Sequence, residues 1–182
     1  MIFIALIIKH LYRIILLYKT KITAHQKFGV LFIVIFAKIF SMLSILDSEF
    51  SALNTFIQEK NPSQIFILVD ENTHQHCLPT LLGNLDTDVH FEIIEIESGE
   101  DAKNISTVVQ LWEILSDFEA DRKSLLLNLG GGVITDLGGF VASTYKRGIS
   151  FINIPTTLLA MCDASIGGKT GIDHQYLKNI VG

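Results

Sequence analysis

Residues 124–139 read SLLLNLGGGVITDLGG, and this stretch decides the fold. An apolar run of strand length, residues 124–129, leads directly into Gly130, Gly131 and Gly132. A short apolar run bounded by glycines is the pattern of a strand buried on both faces. Glycines at its end let the backbone approach a ligand with no Cβ in the way. A helix from about Val133 then turns unpaired N–H groups toward an anion. A nucleotide pyrophosphate suits such a turn, and so does a plain tight turn with no ligand. The strict dinucleotide fingerprint is not met, because Thr135 stands where the third glycine belongs after Gly130 and Gly132.

The flanking sequence supplies the remaining elements. Phe50, Leu53, Phe56 and Ile57 fall at helical spacing over residues 48–59, and Asn61-Pro62-Ser63 breaks that helix. Residues 64–69 (QIFILV) form a buried-strand run ending at Asp70. A helix over 73–82 is perturbed by Pro79 and ended by Gly83-Asn84, and residues 90–96 read as a strand. Residues 98–103 are a loop. Asn104 caps a helix with Ile105, Val108, Val109, Trp112 and Leu115 along one face. A strand over 150–154 and a helix from Thr156 follow. Strands alternating with helices predict an α/β, doubly wound, Rossmann-like parallel sheet, with ligands at the carboxyl ends of its strands.

The string GGGVITDLGGFVASTYKRG, then FINIPTTLLAMCDASIGGKTG, then LKNIVG, resembles 3-dehydroquinate synthase. That family is the NAD- and metal-dependent cyclase of the shikimate pathway, within the sugar phosphate cyclases. The resemblance is dense over 124–182, looser from about Gln64 to Lys103 (VDEN, SGEDAK), and does not reach residues 1–46. It implies conversion of 3-deoxy-D-arabino-heptulosonate 7-phosphate to 3-dehydroquinate and phosphate by catalytic NAD and a divalent metal, zinc or cobalt. The family's metal ligands sit in a helical C-terminal domain, so no residue of this chain is assigned to the metal, and the chain alone is expected to show no turnover. Another sugar phosphate cyclase, an iron-type polyol dehydrogenase and a non-catalytic NAD-binding module are the alternatives.

Each candidate residue has a plain structural role beside the one implied. Asp70 and Asn72 suit the adenosine half of NAD by resemblance, whereas from sequence alone Asp70 is the better helix cap. Ser98, Gly99, Glu100, Asp101, Ala102 and Lys103 are assigned to NAD by resemblance, and otherwise make a solvated turn. Gly132, Val133, Ile134, Thr135 and Asp136 are the implied contacts in the glycine turn. Asp136 suits the nicotinamide carboxamide because an ionised carboxylate accepts from its NH₂, or it is an acid favoured by the helix dipole. Gly138-Gly139 is costly inside a helix and points to close packing on the sheet or ligand. Thr156 and Thr157 cap a helix or touch the cofactor.

Asp163, Lys169, Lys178 and Asn179 form the implied substrate floor, with Lys169 and Lys178 also near NAD. Two lysines, an amide and a carboxylate suit a polyhydroxylated, doubly anionic sugar phosphate. Arg147 otherwise passes as a helix C-terminal cation; by resemblance it reaches the substrate phosphate of a neighbouring subunit, implying a homodimer. Asp173 stands where the family often has Asn and either repels the anion or caps a turn. His74-Gln75-His76-Cys77 is discounted as a metal site, because positions i and i+2 share no helical face. His174 reads as a loop residue.

Composition bounds the rest. At 182 residues there is room for one domain with a core. A net charge of −5 argues against nucleic acid as the main partner. Two cysteines, Cys77 and Cys162, give no disulfide framework and fit a reducing cytoplasm. Residues 1–46 contain no Asp or Glu and differ in kind from 47–182, the expected NAD-binding α/β domain. Residues 28–46, with Lys38 as their internal charge, have about the length needed to span a bilayer. This leader reads as an upstream translation outside the working protein, with Met42 as an in-frame start. A membrane anchor and a buried extension are the other readings, and membrane contact depends on the leader being real.

Overall fold

The computed structural model describes residues 49–182. The leader, Lys38 and Met42 lie outside the described residues. Among those described, no helix is long and apolar enough to cross a membrane.

The order is α1 (Ser51–Lys60), β1 (Ile65–Asp70), α2 (Glu71–His76), α3 (Leu78–Asn84), β2 (Phe91–Ile96), α4 (Ile105–Asp117), β3 (Leu125–Gly130), α5 (Gly132–Thr144), β4 (Ser150–Pro155), β5 (Ile172–His174) and β6 (Leu177–Val181). Strands β1 to β4 make one sheet in the order β2-β1-β3-β4, every pair parallel. This is the expected α/β architecture. From β1 the chain crosses to β2 on one side, and β3 then leads to β4 on the other. The carboxyl ends of β1 and β3 therefore flank a topological switch point, where such sheets hold ligands.

Alternation along β1 and β3 sorts the core. Phe66, Leu68 and Leu126 pack with Val108, Leu111 and Leu115 of α4 and Ile134, Leu137 and Val141 of α5. Ile65, Ile67, Val69, Leu125, Leu127 and Leu129 pack on the other face with Leu53 and Ile57 of α1 and Leu78 and Leu81 of α3. Both strands are buried nearly throughout, which is why their sequences are continuous apolar runs.

Four local expectations are corrected. The helix over 73–82 is two helices joined at Cys77, because Pro79 has no N–H to donate and sits in the first turn of α3. The buried stripe of α4 runs through Val108, Leu111 and Leu115, leaving Ile105 and Val109 exposed. The helix after Thr156 is short and π-wound over Ala160–Ala164. His174 ends β5, which pairs antiparallel with β6 as a hairpin.

Candidate cofactor and anion site

Three strand ends meet at the carboxyl edge. Gly130 of β3 is in register with Pro155 of β4, and the Thr156 N–H donates to the Gly130 carbonyl at 2.9 Å. Asp70 ends β1 on the other side of β3. A Cβ on Gly130 would lie 2.5 Å from the Ile134 side chain, so α5 can start this tightly only from glycine. Gly131 is the N-cap, with no side-chain cap and no acid in the first turn of α5. The N–H groups of Gly132, Val133 and Ile134 have no intrahelical acceptor by the geometry of a helix start.

The residues around that turn divide by what they can present. Ile134 and Thr135 are fully buried. The Thr135 hydroxyl donates back to the carbonyls of Gly131 (3.2 Å) and Gly132 (3.1 Å) and its N–H to the Gly131 carbonyl at 3.0 Å, so Thr135 has no donor left for a ligand, and buried Ile134 offers its backbone only. Asp136 is one turn on, its side chain 17% exposed. The segment after β4 follows α5: Thr157 lies against Gly131, Ala164 against Gly132 and Thr170 against Gly139. The Gly171 N–H donates to the Asp136 carbonyl at 3.2 Å.

Asp70 does cap α2. Its Oδ1 accepts from the Thr73 N–H at 2.8 Å and the Thr73 hydroxyl at 3.0 Å, and the Asp70 N–H donates to Thr73 Oγ1 at 2.9 Å. Its Oδ2 makes no hydrogen bond among the described residues, so capping leaves one oxygen for a ligand. Asn72 is exposed. Ser98 donates its hydroxyl to Glu71 at 2.8 Å, a partner the sequence does not single out.

The SGEDAK segment is not the uniformly solvated turn that the sequence alone allows. Gly99 has φ 109°, a conformation suited to glycine, and Glu100–Ala102 form a 3₁₀ turn. Ala102 is buried and Asp101 is exposed. Lys103 is only 3% exposed. Its ammonium donates to Asp136 Oδ2 at 2.7 Å and also to Asn179 Oδ1. Burial of a lysine demands such partners. Both partners were candidates in the sequence, but their meeting at Lys103 has no local signal.

Of the residues that the resemblance assigns to a substrate floor, Lys169 pairs with Asp163 and both are exposed. Lys178 on β6 stands 3.8 Å from Glu100 in the open. Asp173 on β5 reaches across the hairpin, where its Oδ1 accepts from the Asn179 N–H of β6 at 2.7 Å. Arg147 does not join these groups. It lies in a 3₁₀ turn after α5 and before β4, at the amino edge of the sheet. The 13 residues of α5, at about 1.5 Å each, put it about 20 Å from the glycine turn. Among the described residues no group of three or more His, Cys, Asp and Glu can hold a metal.

Residues 93–182 match the family model described as 3-dehydroquinate synthase N-terminal. The 3-dehydroquinate synthase of Parabacteroides distasonis is 47% identical over 132 residues, covering 72% of this chain and 37% of that protein. That of Pyrococcus abyssi is 46% identical over 141 residues, covering 78% of this chain and 42% of its own length. The chain thus spans well under half the length of these relatives. A solved 2-deoxy-scyllo-inosose synthase, in complex with carbaglucose-6-phosphate, NAD+ and Co2+, superposes with TM-score 0.62 at 27% identity, over 72% of this chain and 36% of that one. A 2-epi-5-epi-valiolone synthase from Streptomyces hygroscopicus, with NAD+ and Zn2+ bound, gives TM-score 0.58 at 34% identity, over 69% of this chain and 36% of that one.

Proposed function

We propose that this chain, whose residues 93–182 belong to the 3-dehydroquinate synthase N-terminal family, holds NAD at the β1–β3 switch point and supplies part of the floor for a sugar phosphate. The reaction is the phosphate-eliminating cyclisation of 3-deoxy-D-arabino-heptulosonate 7-phosphate to 3-dehydroquinate. One observation carries the reading. The first turn of α5 is uncapped and acid-free, and one turn further on a carboxylate is fixed by a buried ammonium.

The residues fit the dinucleotide. First-turn amides of Gly132, Val133 and Ile134 receive the pyrophosphate. Asp70 Oδ2 accepts from ribose hydroxyls, and Asp136 Oδ1 accepts from the carboxamide NH₂. Thr156 and Thr157 close the other side, next to Gly130 and Gly131. NAD supplies a reversible hydride acceptor, so the net redox change is zero.

Lys169, Lys178 and Asn179 receive the substrate's anionic and hydroxyl groups, and Asp163 accepts from a hydroxyl once Lys169 turns to the anion. Arg147 serves a second subunit, consistent with its place at the far edge of this sheet. A zinc or cobalt ion belongs to the proposal for the whole family protein. The described residues offer it no ligand set, and none of their proposed roles requires it. Identity of 46–47% to 3-dehydroquinate synthases, against 27–34% to the two other cyclases, favours dehydroquinate as product.

The test is a substitution that spares the fold and spoils the site. A Cβ on Gly132 has 3.8 Å of room to Ala164, and a carboxylate in a first helical turn is stabilising by about 0.3–1 kcal/mol. Gly132→Asp is expected to keep the melting temperature and to weaken NAD at least about tenfold by repelling the pyrophosphate. Unchanged NAD affinity by calorimetry would remove the site. With the C-terminal half of a 3-dehydroquinate synthase supplied alongside the chain, phosphate release without net NADH identifies the cyclase chemistry, whereas net NADH from glycerol-like alcohols would identify a polyol dehydrogenase.

A further inference from the structure

Lys103 makes more connections than a ligand contact requires. Its ammonium bridges α5, through Asp136 Oδ2, and the β5–β6 hairpin, through Asn179 Oδ1. The backbone repeats the link, since the Asp173 N–H donates to the Lys103 carbonyl at 2.9 Å and the Gly171 N–H to the Asp136 carbonyl. Asn179 has φ 52°, a left-handed conformation that asparagine adopts more readily than other non-glycine residues. The groups holding it are the Asp173 carboxylate, on its N–H, and the Lys103 ammonium, on its side chain. Two of the three ammonium protons are thus committed, and Asp136 keeps Oδ1 without a partner among the described residues.

We infer that Lys103 is a positioning residue that fastens Asp136 and Asn179 as one unit, aiming Asp136 Oδ1 at the nicotinamide carboxamide while it locks the hairpin carrying Lys178 and Asn179 onto α5. The inference rests on the NAD reading above. It assigns Lys103 a role a simple cofactor contact does not have: carboxamide recognition and the placement of a substrate-side amide depend on the same ammonium. A lone methylene chain at 103 frees the carboxylate to rotate and the left-handed Asn179 to relax.

The test separates this from general structural damage by comparing two ligands. ADP-ribose retains the pyrophosphate and both riboses of NAD but lacks the nicotinamide ring. Calorimetry on the full 182-residue chain is expected to show NAD binding more tightly than ADP-ribose. Lys103→Met should weaken NAD about ten- to a hundredfold, the range of a charge-assisted hydrogen bond, while ADP-ribose changes less than about threefold. Lys103→Arg, which keeps the charge and donors, should restore part of the NAD preference and remains informative if the Met variant does not fold. Asn179→Ala should also lower the preference, and adding it to Lys103→Met should have no further effect. Equal losses for NAD and ADP-ribose, or additive effects of the two substitutions, would overturn the positioning role. Failure of the unmodified chain to bind NAD would instead overturn the cofactor reading itself.

Discussion

Replacing Gly138 by alanine adds one methyl group at the tightest contact between α5 and the sheet. The new Cβ would stand 2.0 Å from Asn128 Oδ1, 2.4 Å from its Cγ and 2.8 Å from its Nδ2. Asn128 cannot move aside cheaply. It is fully buried in β3, and its Nδ2 donates to Asn153 Oδ1 at 2.8 Å. Either the amide swings away and loses that bond, about 1 kcal/mol net, or α5 lifts off the sheet. Overpacking of this kind costs about 1–3 kcal/mol, and the better helix propensity of alanine returns about 1 kcal/mol. Where the amide swings away, the lost bond and the returned propensity cancel, and the expected net loss is the overpacking cost of about 1–3 kcal/mol. Urea unfolding, with the slope checked for constancy, reads it as a lower midpoint. The same change at Gly83, exposed in α3 with nothing within 4 Å, should stabilise by up to about 1 kcal/mol. Truncating Asn128 to alanine beside Gly138→Ala should cost less than the two losses summed, because the clash vanishes. A Gly138→Ala midpoint at or above that of the unmodified chain, or strict additivity with Asn128→Ala, would mean that contact with Asn128 does not limit position 138.

Two further outcomes separate local roles. Asparagine caps a helix as well as aspartate, so Asp70→Asn should keep the unfolding midpoint, Asp70→Ala should cost about 1 kcal/mol, and both should weaken NAD in calorimetry; full NAD affinity in Asp70→Asn would reduce Asp70 to a cap. The Ser63 hydroxyl, 2.5 Å from Asp121 Oδ1, is the chief cause of a lowered carboxyl pKa there. A carboxyl more acidic in the native chain than in the unfolded one stabilises fully above the ordinary carboxylate range, and the effect fades as pH falls through the lowered value. Ser63→Ala should therefore lower the urea midpoint at neutral pH and converge on the unmodified chain in strong acid; a gap independent of pH would exclude the ion as its source.

The sheet was legible because its two central strands are buried on both faces and therefore written as uninterrupted apolar runs between glycine and proline signals. Asn104 as a cap and Gly138-Gly139 as a close approach were also readable, each from a residue type with few uses at that position. The hairpin of β5 and β6 was not. Its residues are largely exposed and carry no alternation to mark a buried face, and its register is irregular between Ile172 and His174, where Asp173 accepts from the Asn179 N–H. Lys103 was named as a contact but its burial was hidden, because its partners lie 33 and 76 residues downstream. Ile134 and Thr135 were assigned to the cofactor with their neighbours, yet helical geometry turns both side chains into the core. Position in a motif does not distinguish an offered amide from an offered side chain.

The 76-residue separation between Lys103 and Asn179 also bears on the order of folding. Closing that loop is rewarded only after β3, α5 and β4 have brought its ends together. The pairs β1–β2 and β3–β4 join residues only 26 and 25 apart, as Ile65 with Phe91 and Leu125 with Ser150, so the two halves of the sheet can condense first, with the hairpin added afterwards. Elements joined late and by few buried groups are the ones that open at least cost in the native state. The cleft would then assemble last and come apart first, and a molecule spanning Asp136 and Asn179 would slow its loss while leaving the collapse of the sheet untouched.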